Sequence, residues 1–217
     1  MRGVTATLML AALAGLSGCD APSASGGGGH STAVESGAPQ ARYENVEYGV
    51  AVDYPKDEVV RVDAREVPKG YFNEGGWRVG VGPDQPGAAL LVLRLKGSDE
   101  IRTGELRLGA SRDEQARAGC TEPAPWARPN SVGEAELDGV AFTTFQGGDA
   151  AMNHSRQVHA WRALRDGTCF AIDLVVQGSN GQVYDPPREA PFSETRAFND
   201  LSALLGGIHF MDATVLH

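Results

Sequence analysis

The stretch 153–180, NHSRQVHAWRALRDGTCFAIDLVVQGSN, constrains the fold more than any other part of the chain. It predicts two strands joined by a tight turn. Asp166-Gly167 supplies the two positive-φ positions that a two-residue type I′ turn requires. That turn sets a register: Arg165 opposite Thr168, Ala163 opposite Phe170, Trp161 opposite Ile172, His159 opposite Leu174. Side chains alternate across a strand, so these residues share one largely apolar face. The other face pairs Leu164 with Cys169, Arg162 with Ala171, Ala160 with Asp173 and Val158 with Val175. It is apolar too, apart from Arg162 and Asp173, diagonal neighbours expected to form an ion pair on the sheet surface. A hairpin apolar on both faces belongs at the centre of its sheet and needs cover from both sides.

Arg2 gives the chain a positive start, and residues 4–16 form an apolar run too short to cross a bilayer core of ~30 Å as a helix. The run closes in Leu16-Ser17-Gly18-Cys19, which resembles the lipobox of bacterial lipoproteins. The resemblance implies cleavage before Cys19, diacylation of its thiol and acylation of the new amine. Residues 1–18 are then a lipoprotein signal peptide. A secretory signal peptide with a chance cysteine is the plainer alternative. Asp20 is similar to the inner-membrane retention signal of enterobacterial lipoproteins, which favours the inner over the outer membrane. Residues 19–40 hold Pro22, glycines 26–29 and a single large apolar residue, Val34. Such a segment cannot bury enough apolar surface to offset its ordering entropy, so a flexible tether with a reach of roughly 25 Å is expected. His30 lies in it and is not read as a metal ligand.

The chain carries 19 basic and 28 acidic residues, a net charge of −9. Removing residues 1–18 loses Arg2 and no acid, leaving 18 against 28 and a net −10. That balance argues against nucleic acid, whose phosphates select basic patches. It also argues against electrostatic adhesion to anionic headgroups, so the acyl chains on Cys19 are expected to hold the protein at the bilayer. With Cys19 assigned to lipid, Cys120 and Cys169 remain as an even pair in an exported, oxidising compartment. A disulfide between them closes a loop of about 50 residues, worth ~4 kcal/mol in the chain-entropy model. Two buried thiols that never meet are the alternative. Two cysteines without clustered histidines do not make a structural zinc site, and no cofactor is indicated.

Residues 41–217 suffice for a single domain with a sizeable core. The pattern predicts strands at 48–54, 59–62, 88–95 and 105–108, with extended chain resuming at 77–81 after the Gly75-Gly76 break. Ser111 and Glu114 have capping-box spacing and predict a helix of about two turns running to Gly119. Three prolines make 121–129 a loop. Residues 132–137 and 140–145 form a second hairpin about Asp138-Gly139, with Ala135, Leu137, Val140 and Phe142 on its core face. After a proline-containing loop at 181–191, Ser193 caps a helix with Glu194 in its first turn. Ala197, Leu201, Leu204 and Leu205 make one apolar stripe; Gly206-Gly207 ends the helix, and 208–210 adds a last short strand. The order is that of an α+β domain, a mainly antiparallel sheet with a short helix and a C-terminal amphipathic helix packed on it. The short helix is expected to cover Leu164 and Val175, and the C-terminal helix Phe170 and Ile172.

Tyr48-Gly49-Val50-Ala51-Val52-Asp53-Tyr54-Pro55 is similar to the opening strand of PsbP/Mog1-like domains. The late hairpin and the closing helix leading to Phe210 also look like that family. The resemblance spans most of the domain. It implies an αβα sandwich and an accessory or binding role. The Cys120–Cys169 pair and the glycine-rich middle depart from it.

Motifs for chemistry are sparse. Gly109-Ala110-Ser111-Arg112-Asp113 lacks the last glycine of a nucleophile elbow. Gly80-Val81-Gly82-Pro83 lacks the third glycine of a dinucleotide site, and no phosphate loop, HExxH or EF-hand pattern occurs. His154 and His159 are the foremost metal candidates, but five positions on one strand point them to opposite faces. His159, beside Trp161, is expected to be a hydrogen-bonded core histidine, and His154 an exposed one. Asp149 and His154 pair as acid and base only if loop geometry brings them together. Trp77, Trp126 and Tyr184 sit at glycine- or proline-rich loops, where they either form a recognition patch or fold onto the core. No catalytic or metal-binding residue is assigned. The expected function is a non-catalytic binding or accessory module, lipid-tethered in the bacterial envelope, its domain in the periplasm, serving an envelope protein partner. The alternative is a small envelope hydrolase or metal-dependent enzyme using His154 or His209.

Cys19→Ser should move the protein from the membrane fraction to the soluble or unprocessed pool, and the mature wild-type N-terminus should carry acyl mass. Membrane attachment that survives the substitution, with no acyl mass on the wild type, would refute the lipid assignment.

Overall fold

Turn chemistry organises the chain. The computed structural model describes residues 40–64, 72 and 75–211. Within them run strands β1 (Gln40–Asn45), β2 (Val50–Pro55), β3 (Val59–Val62), β4 (Ala88–Leu95) and β5 (Thr103–Ser111), then helix α1 (Glu114–Ala118). Strands β6 (Gly133–Leu137), β7 (Val140–Ala151), β8 (His154–Arg165) and β9 (Thr168–Ser179) follow, then helix α2 (Glu194–Ala203) and strand β10 (Ile208–Phe210). A seven-stranded antiparallel sheet has the order β3-β4-β5-β9-β8-β7-β6, and β1-β2-β10 form a three-stranded antiparallel sheet. The fold is mainly antiparallel β with a few helices.

Asp166 and Gly167 have φ of 48° and 70°, and every pairing expected from their turn is formed. Asp138-Gly139 makes the same kind of turn between β6 and β7. A third joins β7 to β8 through Met152 and Asn153, at φ of 49° and 66°. Asparagine tolerates the left-handed region but methionine gives no such signal. β7 accordingly continues six residues past the expected end at 145, to Ala151. β5 is likewise longer than expected, and β2 starts two residues later, at Val50.

One face of the large sheet is covered by regular structure. Leu93, Leu106, Phe170, Ile172 and Leu174 meet Val50 and Val52 of the small sheet and Ala197, Phe198 and Leu201 of α2. Ser193 caps that helix, its Oγ accepting the Arg196 N–H at 3.1 Å, and Leu204 and Leu205 continue the buried stripe. The expected cover over Phe170 and Ile172 is therefore present, shared between helix and small sheet.

Irregular chain covers the other face. Residues 77–81 do not become a strand; they bend and turn across the sheet. Trp77 packs with Cys120, Cys169 and Ala171, while Val79 and Trp126 pack with Phe145, Val158, Ala160 and Val175. Close approach is possible because Gly109 and Gly147 lie beneath. A Cβ at either would collide with a backbone carbonyl, of Trp77 or Trp126 respectively. Val175 is thus covered by loops, and α1 does not cover Leu164, which is 54 % exposed. The cap of α1 also differs from the expected box. Ser111 ends β5 and donates to the Pro86 carbonyl at 2.6 Å, whereas Asp113 accepts the N–H groups of Gln115 and Ala116. Two residues closer to the first turn, Asp113 wins the cap position.

Cys120 and Cys169 are disulfide-bonded, with Cα atoms 5.6 Å apart. The bridge ties the end of α1 to the central strand under Trp77. Replacing both cysteines by alanine should lower the unfolding free energy by ~4 kcal/mol, measured by denaturant unfolding of oxidised wild type against the variant. An unchanged midpoint would show that the loop it closes is not held by it.

Candidate functional site

The loop-covered face carries a row of charge. Arg94 stands opposite Glu105 across β4 and β5, and Arg107 stands opposite Asp173 across β5 and β9. Arg162 on β8 is diagonal to Asp173. One oxygen of Glu105 accepts from Nε and Nη2 of Arg94 at 2.9 and 2.7 Å; the other accepts from Arg107 at 2.8 and 2.6 Å. Asp173 accepts Arg162 Nη2 at 2.7 Å on one oxygen and the Val79 N–H at 2.9 Å on the other. Arg162 and Asp173 are each 1 % exposed, so the pair is buried and not on the sheet surface. The hairpin pattern shows that the two meet; it cannot show that distant loops close over them. Guanidinium groups suit such burial because their fixed fork of donors can place two hydrogen bonds on one carboxylate oxygen, as Arg94 and Arg107 each do on Glu105.

A cavity of about 330 Å³ lies at one end of this row, lined by Arg94, Glu105, His154, Gln177 and Ser179 among others. His154 and Ser179 open and close the hairpin as its last cross-strand pair, and Ser179 Oγ lies 3.0 Å from His154 Nδ1. Loop 98–103 forms another wall. Asp99 Oδ1 accepts the N–H groups of Ile101 and Arg102 at 2.8 and 2.9 Å, which holds the loop in a tight turn. Arg188 pairs with Glu100 and lies 3.8 Å from Asp99. The lining thus presents fixed donors and acceptors, a hydroxyl–imidazole contact and the aromatic ring of Phe72. His154 is half-buried in this wall, not exposed as expected. Ser179 escaped the sequence reading, although the count from Asp166-Gly167, carried to the hairpin's end, pairs it with His154.

The remaining candidates separate. His159 faces the other side, half-buried, its ring stacked on Phe198 at 3.9 Å and 8°. It packs on the α2 helix instead of serving as a hydrogen-bonded core histidine. Burial, and then the positive charge of Arg128, lower its pKa. Asp149 stands opposite Arg156 and accepts the Ala150 N–H, while His154 stands opposite Ala151. His209 lies at the small sheet, 3.4 Å from Asp53 and 3.7 Å from Asp138. Both acids have structural partners, Arg42 for Asp53 and the Phe210 N–H for Asp138. Trp77 is buried and Trp126 half-buried against Phe145, so these two fold onto the core. Tyr184 lies under Arg188, 5.3 Å from its guanidinium carbon.

No family model matches this chain, and no curated protein matches its sequence. Cys19 and the expected tether as far as residue 39 lie outside the described residues. Among the described residues, no helix is long and apolar enough to cross a membrane, and no cluster of three or more His, Cys, Asp or Glu side chains is placed to hold a metal ion.

The lowered pKa of His159 has a sign that can be tested. Below the ordinary histidine value of about 6.5 the unfolded chain takes up a proton that the folded state resists. Stability therefore falls as pH drops from there to the folded-state pKa, and the loss is complete below it. His159→Phe keeps the stack on Phe198 and removes the proton site. Its melting temperature should fall less than that of the wild type between about pH 7 and pH 5. Equal falls would contradict the assignment.

Proposed function

We propose that this protein is a non-catalytic binding or accessory module of the bacterial cell envelope, anchored through acylated Cys19 and carrying its domain in the periplasm on a flexible tether. The Leu16–Cys19 tetrapeptide supports the anchor, and Asp20 favours the inner membrane. The resemblance of the Tyr48–Pro55 stretch, with the late hairpin and closing helix read in the sequence, supports a PsbP/Mog1-like domain. The ligand or partner is taken at the cavity beside Glu105. One observation carries the choice of binding over catalysis: Glu105, the buried acid of that cavity, is held by two guanidinium forks. Both oxygens of a carboxylate so engaged are already taken by donors, so it serves as a fixed part of the cavity wall. Tethering supports the same reading, because confinement raises the effective concentration of the module near membrane partners.

A second reading rests on the 3.0 Å contact between Ser179 and His154, which gives the cavity a hydroxyl beside an imidazole. In a hydrolase that pair would supply nucleophile and base.

The two readings part on one experiment in intact cells. The double variant His154→Ala with Ser179→Ala should keep wild-type abundance and lower cross-linked partner yield and cellular phenotype together. Gln177→Trp, which fills the cavity, should lower the partner yield about tenfold. Loss of phenotype in the double variant with partner capture intact would establish the hydrolase reading instead.

A further inference from the structure

A second cavity, of about 160 Å³, opens on the loop-covered face between residues 78–81 and 119–125. Arg162 lines its buried side, Arg78 is half-buried, and Glu122 is exposed. Arg162 uses Nη2 on Asp173 and Nη1 on the carbonyls of Trp161 and Ile172, at 2.9 and 3.3 Å. Its buried Nε has no acceptor. The buried indole Nε1 of Trp126, which packs over Gly80 of the same cavity, has none either. Native proteins rarely leave buried donors unmatched, and Arg162 Nε, on a residue of the cavity wall, points to an acceptor that binds there. Asp173 does not supply it; its two oxygens take Arg162 Nη2 and the Val79 N–H. Arg78 lies over the Trp77 ring, 4.9 Å from its centroid. Burial, and then the like charge of Arg162, lower the Arg78 guanidinium from its ordinary range, and Asp173 offsets this in part.

We propose that this cavity binds a small monocarboxylic acid, one oxygen on Arg162 Nε and the other on Arg78, with a short apolar tail against Val79, Pro125 and Phe145. Charge selects the class. Arg78, Arg162 and the buried Asp173 leave one positive charge on the inner wall, and Glu122 sets a negative charge at the exposed rim, so a monoanion is held better than a dianion. A dianion such as phosphate overshoots the inner charge and also meets the carboxylate of Glu122. The site is separate from the cavity at His154 and stands independently of the function proposed there.

The test uses ¹⁵N-labelled full-length protein in detergent micelles, titrated with sodium propionate at constant ionic strength. The readout is the indole cross-peak of Trp126, assigned with Trp126→Phe. It should shift saturably with propionate and fail to saturate over the same range of inorganic phosphate. Arg78→Gln, at a half-buried position that spares the Arg162–Asp173 pair, should weaken propionate about tenfold or more. Glu122→Gln, an exposed change, should tighten it about twofold. No saturable shift, equal affinity in Arg78→Gln, phosphate binding as tight as propionate, or no gain in Glu122→Gln would each overturn the proposal.

Discussion

A two-residue turn decides which side of the sheet every residue of β8 and β9 faces. Asp166 and Gly167 pass through the left-handed region together, and a slip of one residue would exchange the two faces. In the observed register Phe170, Ile172 and Leu174 point at α2 and the small sheet. Cys169 and Asp173 point the other way, where Cys120, Arg162 and the Val79 amide meet them. His154 and Ser179 come together at the far end by the same count. Core, disulfide, buried ion pair and cavity wall all depend on that one register.

The two faces are closed by different means. The apolar face takes a helix and a small sheet, whose own backbone groups are paired internally. The charged face takes loops, whose amides need acceptors. Asp173 serves both needs, since it neutralises Arg162 and accepts from the loop at Val79. Glycines 109 and 147 let the loop backbone lie directly on the strands, and the disulfide fixes Cys120 beneath Trp77. Long-range contacts also join the small sheet to the large one. Arg112 reaches the Glu47 carbonyl and lies over Tyr48, and Arg165 reaches the Met211 carbonyl and lies over Phe210.

The charged face also bears on the proposed function. Its acids are engaged: Glu105 by two arginines, Asp99 by the loop it turns, Asp173 by Arg162 and a loop amide. What remains for a visitor is a set of oriented donors and acceptors in two cavities, one beside Glu105 and one beside Arg162. Such surfaces recognise by shape and hydrogen bonding. Were the domain held at a membrane as proposed, proximity would add to that kind of recognition.

The chain's own residues were enough for much that is local or periodic. Asp-Gly turns, the stripe of α2 beneath Ser193 and the alternation of the central hairpin each carry a short-range signal, and each formed as read. Cys120 and Cys169 could be paired by elimination because only two thiols remained once Cys19 was set apart. Only the tertiary structure decided what covers what. That 77–81 lies flat on the sheet, that Arg162 and Asp173 are buried, and that Leu164 is left bare depend on contacts between residues far apart in sequence. The Met152-Asn153 turn was hidden because methionine does not announce a positive φ. The cap went to Asp113 because the end of β5 places Ser111 inside the sheet. The cavities were beyond local reading for the same reason: their walls come from strands and loops that no spacing along the chain connects, and only packing brings them together.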